Sequence, residues 1–381
     1  MWRSRLPAAR TACTSPQLSK STTITIPLDV LRGWMANRHL EALYISRPVS
    51  IAYLTGFFAN PHERLMGLAI TRHGATLVVP ALERQNAVEH ASGADVVAWR
   101  DGEDPYELVS RALGALAEIG VEKEHLTVHV AEVITTRTGI SELVDVGGEI
   151  RRMRLIKNDD EIEKLARAAA ITDEVTERIL PQLRAGQSEV DVAILIGSLI
   201  GELGGELSFP SLVQAGPNSA LPHHEPSGAT LAGGDLVLLD FGAAFGGYKA
   251  DTTRMAVVGE PTAKQREIHR VVLEAHDAAI AAVKAGVTTG QVDAAAREVI
   301  DAAGYGEMFF HRVGHGIGLE GHEDPSLDPG SSTVLEPGMV FTIEPGIYVP
   351  GFGGVRIEDD VVVEESGCRV LTRADRSLKV V

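Results

Sequence analysis

Residues 341–360, FTIEPGIYVPGFGGVRIEDD, set Glu344 at the end of one apolar run and Glu358 inside a second, with a Gly/Pro-rich turn between them. The pattern is that of a buried hairpin carrying one carboxylate in each arm. An unpaired buried carboxylate costs several kcal/mol even after relaxation, so something cationic should meet both. The same arrangement occurs a second time. Sliding the chain on itself by about one hundred residues aligns RAGQSEVDVA (184–193) with KAGVTTGQVDAA (284–295), and GGDLVLLD with PGMVFTIE. Asp240 then answers to Glu344 at an offset of 104 residues, and Asp251 of YKADTTR answers to Glu358 at an offset of 107. Each half of a duplicated region therefore contributes two carboxylates.

Ion pairing to Lys249, Arg254 or Arg356 would account for any one of these acids, but four at repeat-related positions favour metal. HRVGHGIGLEGHEDP (311–325) supplies a nitrogen ligand, His315, among glycines at 314, 316 and 318 that permit close backbone approach. In the repeat, His315 stands opposite Ala215, whereas His322 stands opposite His223 of LPHHEP. One imidazole and four carboxylates are too many ligands for a tetrahedral zinc site. Their oxygen-rich character suits Mn²⁺, Fe²⁺ or Co²⁺. Two ions about 3.5 to 4 Å apart, bridged by carboxylates, accommodate the set, and the reaction class is metal-assisted hydrolysis.

The rest of the chain is consistent with such an enzyme. At 381 residues it exceeds what a single core usually supports, so two domains are expected. Lys+Arg 35 against Asp+Glu 52 leaves a net charge of −17, which excludes a nucleic-acid partner held through phosphates. No apolar run reaches the ~18 residues of a membrane span. The two cysteines, Cys13 and Cys368, form neither a disulfide framework nor a metal site, and a cytoplasmic location is expected.

Residues 1–27 contain no Asp or Glu and carry Arg3, Arg5, Arg10 and Lys20. The composition is transit-peptide-like, and a disordered extension is expected. Residues 28–152 alternate helix-like and strand-like segments (LDVLRGWMANRHLEAL, GLAIT, ATLVVP, DVVAW, DPYELVSRALGALAEIG, LTVHV), as in a small α/β domain. The second domain, 153–381, opens on a helix capped by Asn158 with Glu161 three residues on and apolar positions Ile162, Leu165, Ala166 and Ala169.

These motifs resemble the proline-specific branch of the pita-bread metallopeptidases, the Xaa-Pro dipeptidases (prolidases) and Xaa-Pro aminopeptidases. The resemblance spans about residues 28–381. It rests on LLDFGAAFGGYKADTTR, HRVGHGIGLEGHE, FTIEPGIY, GGVRIEDD, LPHHEP and IAYLTGFFANPHER. It implies a creatinase-like α/β N-terminal domain and an α+β pita-bread catalytic domain with an internal pseudo-two-fold duplication. Two divalent metal ions are implied, Mn²⁺ first, with Co²⁺, Zn²⁺ and Fe²⁺ as alternatives.

Under the resemblance Asp240 binds one metal, Asp251 and Glu358 bridge both, and His315 and Glu344 bind the second. His223 and His322 face the substrate and, with Glu344, carry catalysis. Arg356 supports the ligands or binds the substrate carboxylate. The implied substrates are Xaa-Pro dipeptides, or short Xaa-Pro peptides if the chain is an aminopeptidase, and the implied assembly is a homodimer. Methionine aminopeptidases share HGIG and FTIEP but generally lack such an N-terminal domain. Creatinase-like hydrolases and non-catalytic binding proteins of this fold do not keep the ligand set. Asn60 stands where many short bacterial prolidases carry Asp. His62, Glu63 and Arg64 read either as a solvated loop or as a charged lid over a dimer partner's site.

Overall fold

A computed structural model describes residues 27–381, and the expectation for the N-terminal extension lies outside the described residues, Pro27 apart. Residue 27 opens α1 (Pro27–Asn37), followed by β1 (Ala42–Ile45), α2 (Pro48–Thr55), β2 (Gly67–Thr71), β3 (Ala75–Pro80), α3 (Arg84–His90) and β4 (Asp95–Trp99). Then come α4 (Pro105–Leu113), β5 (Glu118–Val121), α5 (Val128–Thr138), β6 (Glu142–Asp145) and α6 (Gly147–Leu155). The six strands form one sheet in the order β4-β3-β2-β1-β5-β6. Its two faces are covered separately: Leu43, Ile45, Leu68 and Ile70 pack with α1 and α2, and Ala42, Tyr44, Ala69 and Val121 pack with α4 and α5. This is the period-2 alternation of a strand with both faces in contact with helices.

Three segments divide differently from their sequence pattern. LDVLRGWMANRHLEAL is α1 and the start of β1, broken at His39, whose φ of 59° ends the helix. DPYELVSRALGALAEIG is α4 and β5, separated at Gly114 with φ of 75°. LTVHV, strand-like by composition, is the start of α5. The Thr127 hydroxyl accepts from the Val130 amide at 3.3 Å and caps the helix, a local bond that outweighs β-branched propensity. The expected divide after residue 152 falls within α6.

The second part begins as its cap predicts. Asn158 and Glu161 form a reciprocal capping box at the start of α7 (Asp159–Ile179), which buries Leu165 and Ala169. Next are α8 (Glu189–Glu202), β7 (Glu206–Leu207), β8 (Leu212–Ala215), β9 (Leu236–Phe241), β10 (Ala243–Phe245), β11 (Tyr248–Lys249) and β12 (Thr252–Val257). After α9 (Ala263–Ala282) and α10 (Thr289–Ala302) come β13 (His315–Gly316), β14 (Glu323–Ser326), β15 (Val340–Ile343), β16 (Gly346–Val349), β17 (Gly353–Arg356), β18 (Asp359–Glu364), β19 (Gly367–Val370) and β20 (Lys379–Val380).

The duplication is physical. Antiparallel β8-β9-β12 in one half matches antiparallel β13-β15-β18 in the other, and the helix pair α7/α8 matches α9/α10. Ser188 and Thr288, one hundred residues apart, each form a capping box at the second helix of their pair. Leu236, Leu238, Phe341 and Ile343 share one core with α9 and α10, whereas Val237 and Leu239 pack with α7 and α8. A bridge between Thr253 and Glu358 joins the two sheets. The hairpin expected at 341–360 is present as β15 paired with β18, and its Gly/Pro-rich connection is a second ribbon, β16 with β17.

Candidate metal centre and cleft

Each expected ligand sits at a strand end that faces the junction of the two sheets. Asp240 is the penultimate residue of β9, Asp251 immediately precedes β12, Glu344 follows β15, Glu358 precedes β18, and His315 opens β13. All five line one cleft of about 720 Å³. Donor atoms of Asp251, His315 and Glu358 lie within 4.8 Å of one another. Glycine makes the approach of β13 feasible: a Cβ at Gly314 would stand 1.9 Å from the Thr342 carbonyl oxygen, and one at Gly316 would stand 2.1 Å from that of Asp324.

Four carboxylates meet a single buried guanidinium here. Arg356, 3% exposed, contacts Asp240 directly and reaches Glu344 and Glu358 at 4.0 Å. Burial pushes the Asp240, Asp251, Glu344 and Glu358 carboxyls up, the Asp251 and Glu358 groups further raised by their acidic neighbours, and Glu344 reaches about 7. Asp240 Oδ1 and Asp251 Oδ1 are buried without a hydrogen-bond partner among the described residues, although such atoms in a folded protein are nearly always satisfied. Divalent cations fit this donor set: they would satisfy the orphaned oxygens and offset the charge that Arg356 alone does not.

The imidazole is prepared for the same role. His315 Nδ1 lies 3.1 Å from the Gly316 carbonyl oxygen, the contact of an Nδ1–H donor, which leaves the Nε2 lone pair for a metal. Burial first, then His322 and Arg312, lower its pKa to about 3, so the ring is neutral. Neighbouring hydroxyls orient the carboxylates. Thr253 donates to Glu358 Oε2 at 2.6 Å, and Thr342 donates to Glu344 Oε1 at 3.3 Å.

The two repeat-related histidines both line the cleft, exposed on its wall, with the His322 ring centroid 3.9 Å from that of His315. Arg356 is oriented away from solvent: it donates from Nε to Thr253 Oγ1 at 2.9 Å and from Nη1 to the Tyr348 hydroxyl at 3.1 Å. That engagement favours ligand support over substrate binding. His62, Glu63 and Arg64 do not line the cleft within one protomer, and Arg64 is paired with Glu63 and Asp101.

Several participants were not evident in sequence. The acids of VRIEDD take three different partners: Glu358 faces the cleft, Asp359 holds Arg254, His276 and Arg376, and Asp360 accepts the Asp251 amide at 3.0 Å. Tyr348, in the connecting ribbon, bonds both Arg356 and His311. Thr253 carried no signal beyond its place in YKADTTR. Glu189, repeat-related to nothing acidic, is fully buried and accepts from Ala215, Asn218 and Ser227, which secures the loop bearing His223.

Two family models match the chain. Residues 27–156 match the Creatinase/Prolidase N-terminal domain, and residues 163–365 match Metallopeptidase family M24. A protein named Xaa-Pro dipeptidase from Lactobacillus helveticus is 40% identical over 362 residues, covering 93% of this chain and 98% of the relative. The structure of an Xaa-Pro dipeptidase from Bacillus anthracis superimposes with a TM-score of 0.86 at 36% identity, covering 93% of this chain and 99% of the other. That of an X-Pro aminopeptidase from Thermotoga maritima MSB8 gives a TM-score of 0.87 at 33% identity, with 93% and 99% covered. With its duplicated sheets, its four acids and one histidine converging on one cleft, and a match across both parts, the chain belongs to metallopeptidase family M24.

Proposed function

We propose that this protein is an Xaa-Pro dipeptidase, hydrolysing the peptide bond before proline in dipeptides. The observation that carries the reading is the convergence of Asp240, Asp251, His315, Glu344 and Glu358 in one cleft that also presents His223 and His322. Asp240 would hold one cation, His315 and Glu344 the other, with Asp251 and Glu358 shared between them. When bound, the ions supply a Lewis acid for the scissile carbonyl and a water acidic enough to attack at neutral pH.

The chain's own residues supply the rest. Glu344 Oε receives the proton that the attacking water releases. His223 and His322 donate to the carbonyl oxygen as negative charge develops there, and His322 passes a proton to the prolyl nitrogen as the bond breaks. The prolyl nitrogen would otherwise have to leave as an amide anion; with that proton it leaves as the secondary amine of proline. Arg356, through Asp240 and Thr253, holds the ligands in register.

The oxygen-rich donor set supports Mn²⁺ as the metal, with Co²⁺ second. A homodimer and a cytoplasmic location complete the reading; no helix among the described residues is long and apolar enough to cross a membrane. Initial rates on Ala-Pro and Ala-Pro-Ala after Mn²⁺ loading test it. Cleavage of Ala-Pro in preference to the tripeptide is expected, with turnover abolished in Asp251→Ala. A preference for Ala-Pro-Ala would instead assign an aminopeptidase, the activity named for the Thermotoga maritima neighbour.

A further inference from the structure

The cations around the cleft divide by whether an acid already holds them. Arg356 is engaged by Asp240. In the adjoining cavity of about 270 Å³, Arg47 pairs with Glu320, Arg151 with Glu124 and Asp324, and Arg154 with Glu320 and Glu323. Arg312 lines both cavities, and no carboxylate among the described residues lies within ion-pair distance of it. Its protein contact is a neutral one: Nη1 donates to Ser326 Oγ at 2.7 Å.

That contact fixes where the charge sits. Ser326 in β14 pairs directly across from His315 in β13, so the guanidinium is tethered to the ribbon that carries a metal ligand. We propose that Arg312, steadied by Ser326, binds the free carboxylate of the substrate's prolyl residue and so selects dipeptides over longer peptides. The inference rests on the reading above and names the residue that determines its specificity.

Substrate geometry brings the carboxylate to such a place. In Xaa-Pro the carboxylate carbon is three bonds from the scissile carbonyl carbon, roughly 3 Å away by standard bond lengths. Its partner must therefore stand beside the metal ligands. A guanidinium suits the task because its planar fork donates two parallel hydrogen bonds to a carboxylate, and here Nη2 and Nε have no acceptor among the described residues. In a longer peptide the carboxylate becomes an amide, which offers Arg312 only a neutral oxygen. Lys249, from the other half of the repeat, lines the same cleft, likewise without a carboxylate in ion-pair distance among the described residues; it lacks the planar fork and is the competing candidate.

Steady-state kinetics on Ala-Pro and Ala-prolinamide, with Mn²⁺-loaded protein, test the assignment. The wild type should favour Ala-Pro in kcat/KM by about 10- to 100-fold, the range of a charge-assisted hydrogen bond. Arg312→Gln should raise KM for Ala-Pro by a similar factor, change kcat less than about threefold and leave the amide unaffected, as expected for lost ground-state binding. Arg312→Lys should recover part of the loss, and Ser326→Ala should raise KM by a smaller factor, which keeps the test open if the Gln variant does not fold. A wild-type ratio retained in Arg312→Gln, or a ratio abolished by Lys249→Gln instead, would overturn the proposal while leaving dipeptidase activity intact. A wild type inactive on both compounds would remove the parent reading and this inference with it.

Discussion

Thr253 and Glu358 are joined twice, by a backbone bridge between the two half-sheets and by a 2.6 Å hydrogen bond from the threonine hydroxyl to Glu358 Oε2. The same hydroxyl accepts from Arg356. One residue thus links the two repeat halves and orients a carboxylate of the candidate metal centre.

Thr253→Val keeps the shape and removes the hydroxyl. Groups that orient a metal ligand are typically worth 10- to 100-fold in metal affinity, and an unsatisfied buried acceptor costs about 1–3 kcal/mol. The variant should fold, with Mn²⁺ affinity reduced about 10- to 100-fold by competition with a chelating dye. Unchanged affinity would show that Glu358 needs no such support.

Removal of metal should make stability fall with rising pH. Glu344 titrates near 4.5 when unfolded and at about 7 when buried, so below 4.5 its contribution is fully present, and it is lost as pH rises through about 7. Asp251 and Glu358, also raised, act in the same direction. Urea midpoints of chelator-treated protein should therefore decrease from pH 5 to pH 7.5, and Mn²⁺ should largely remove that decrease. A midpoint that rises over the interval in the chelated protein would contradict this electrostatic account.

Asp359 is fully buried and holds Arg254 at 2.7 Å, with His276 and Arg376 beside it. The Arg254 guanidinium foremost, then the His276 hydrogen bond and Arg376, hold its carboxyl well below the usual range against the effect of burial. Asp359→Ala would leave Arg254, itself 1% exposed, as an uncompensated buried charge and should cost about 3–5 kcal/mol in chemical denaturation. A loss below about 1 kcal/mol would mean that Arg254 finds another partner.

Gly316→Ala would drive a methyl group into the Asp324 carbonyl and push β14 from β13. Overpacking of this kind costs about 1–3 kcal/mol, and here it also displaces His315. Metal content after purification should drop to one ion or fewer per chain. Gly367→Ala, where a Cβ meets nothing within 4 Å, is the control and should stay within about 0.5 kcal/mol of the wild type.

The amino-acid sequence alone determined the duplication, the strand ends that carry acids and the identity of the nitrogen-bearing segment. It could do so because apolar periodicity and offset repeats are local, one-dimensional signals: LVLLD and VFTIE are buried strands wherever they pack. Element limits in the N-terminal domain were less legible. LTVHV is helical because Thr127 caps it, and a cap formed by one side chain is easily masked by a run of β-branched residues. Which acid of VRIEDD faces the cleft, and which arginine beside it has no acid partner among the described residues, only the tertiary structure decided. Glu358, Asp359 and Asp360 differ in their partners, drawn from Thr253, Arg254, His276 and Asp251 more than eighty residues away in sequence, and among the described residues Arg312 has no acid partner because Glu320 and Glu323 already hold other cations. Charge compensation is a property of three-dimensional neighbours, and sequence spacing does not encode it.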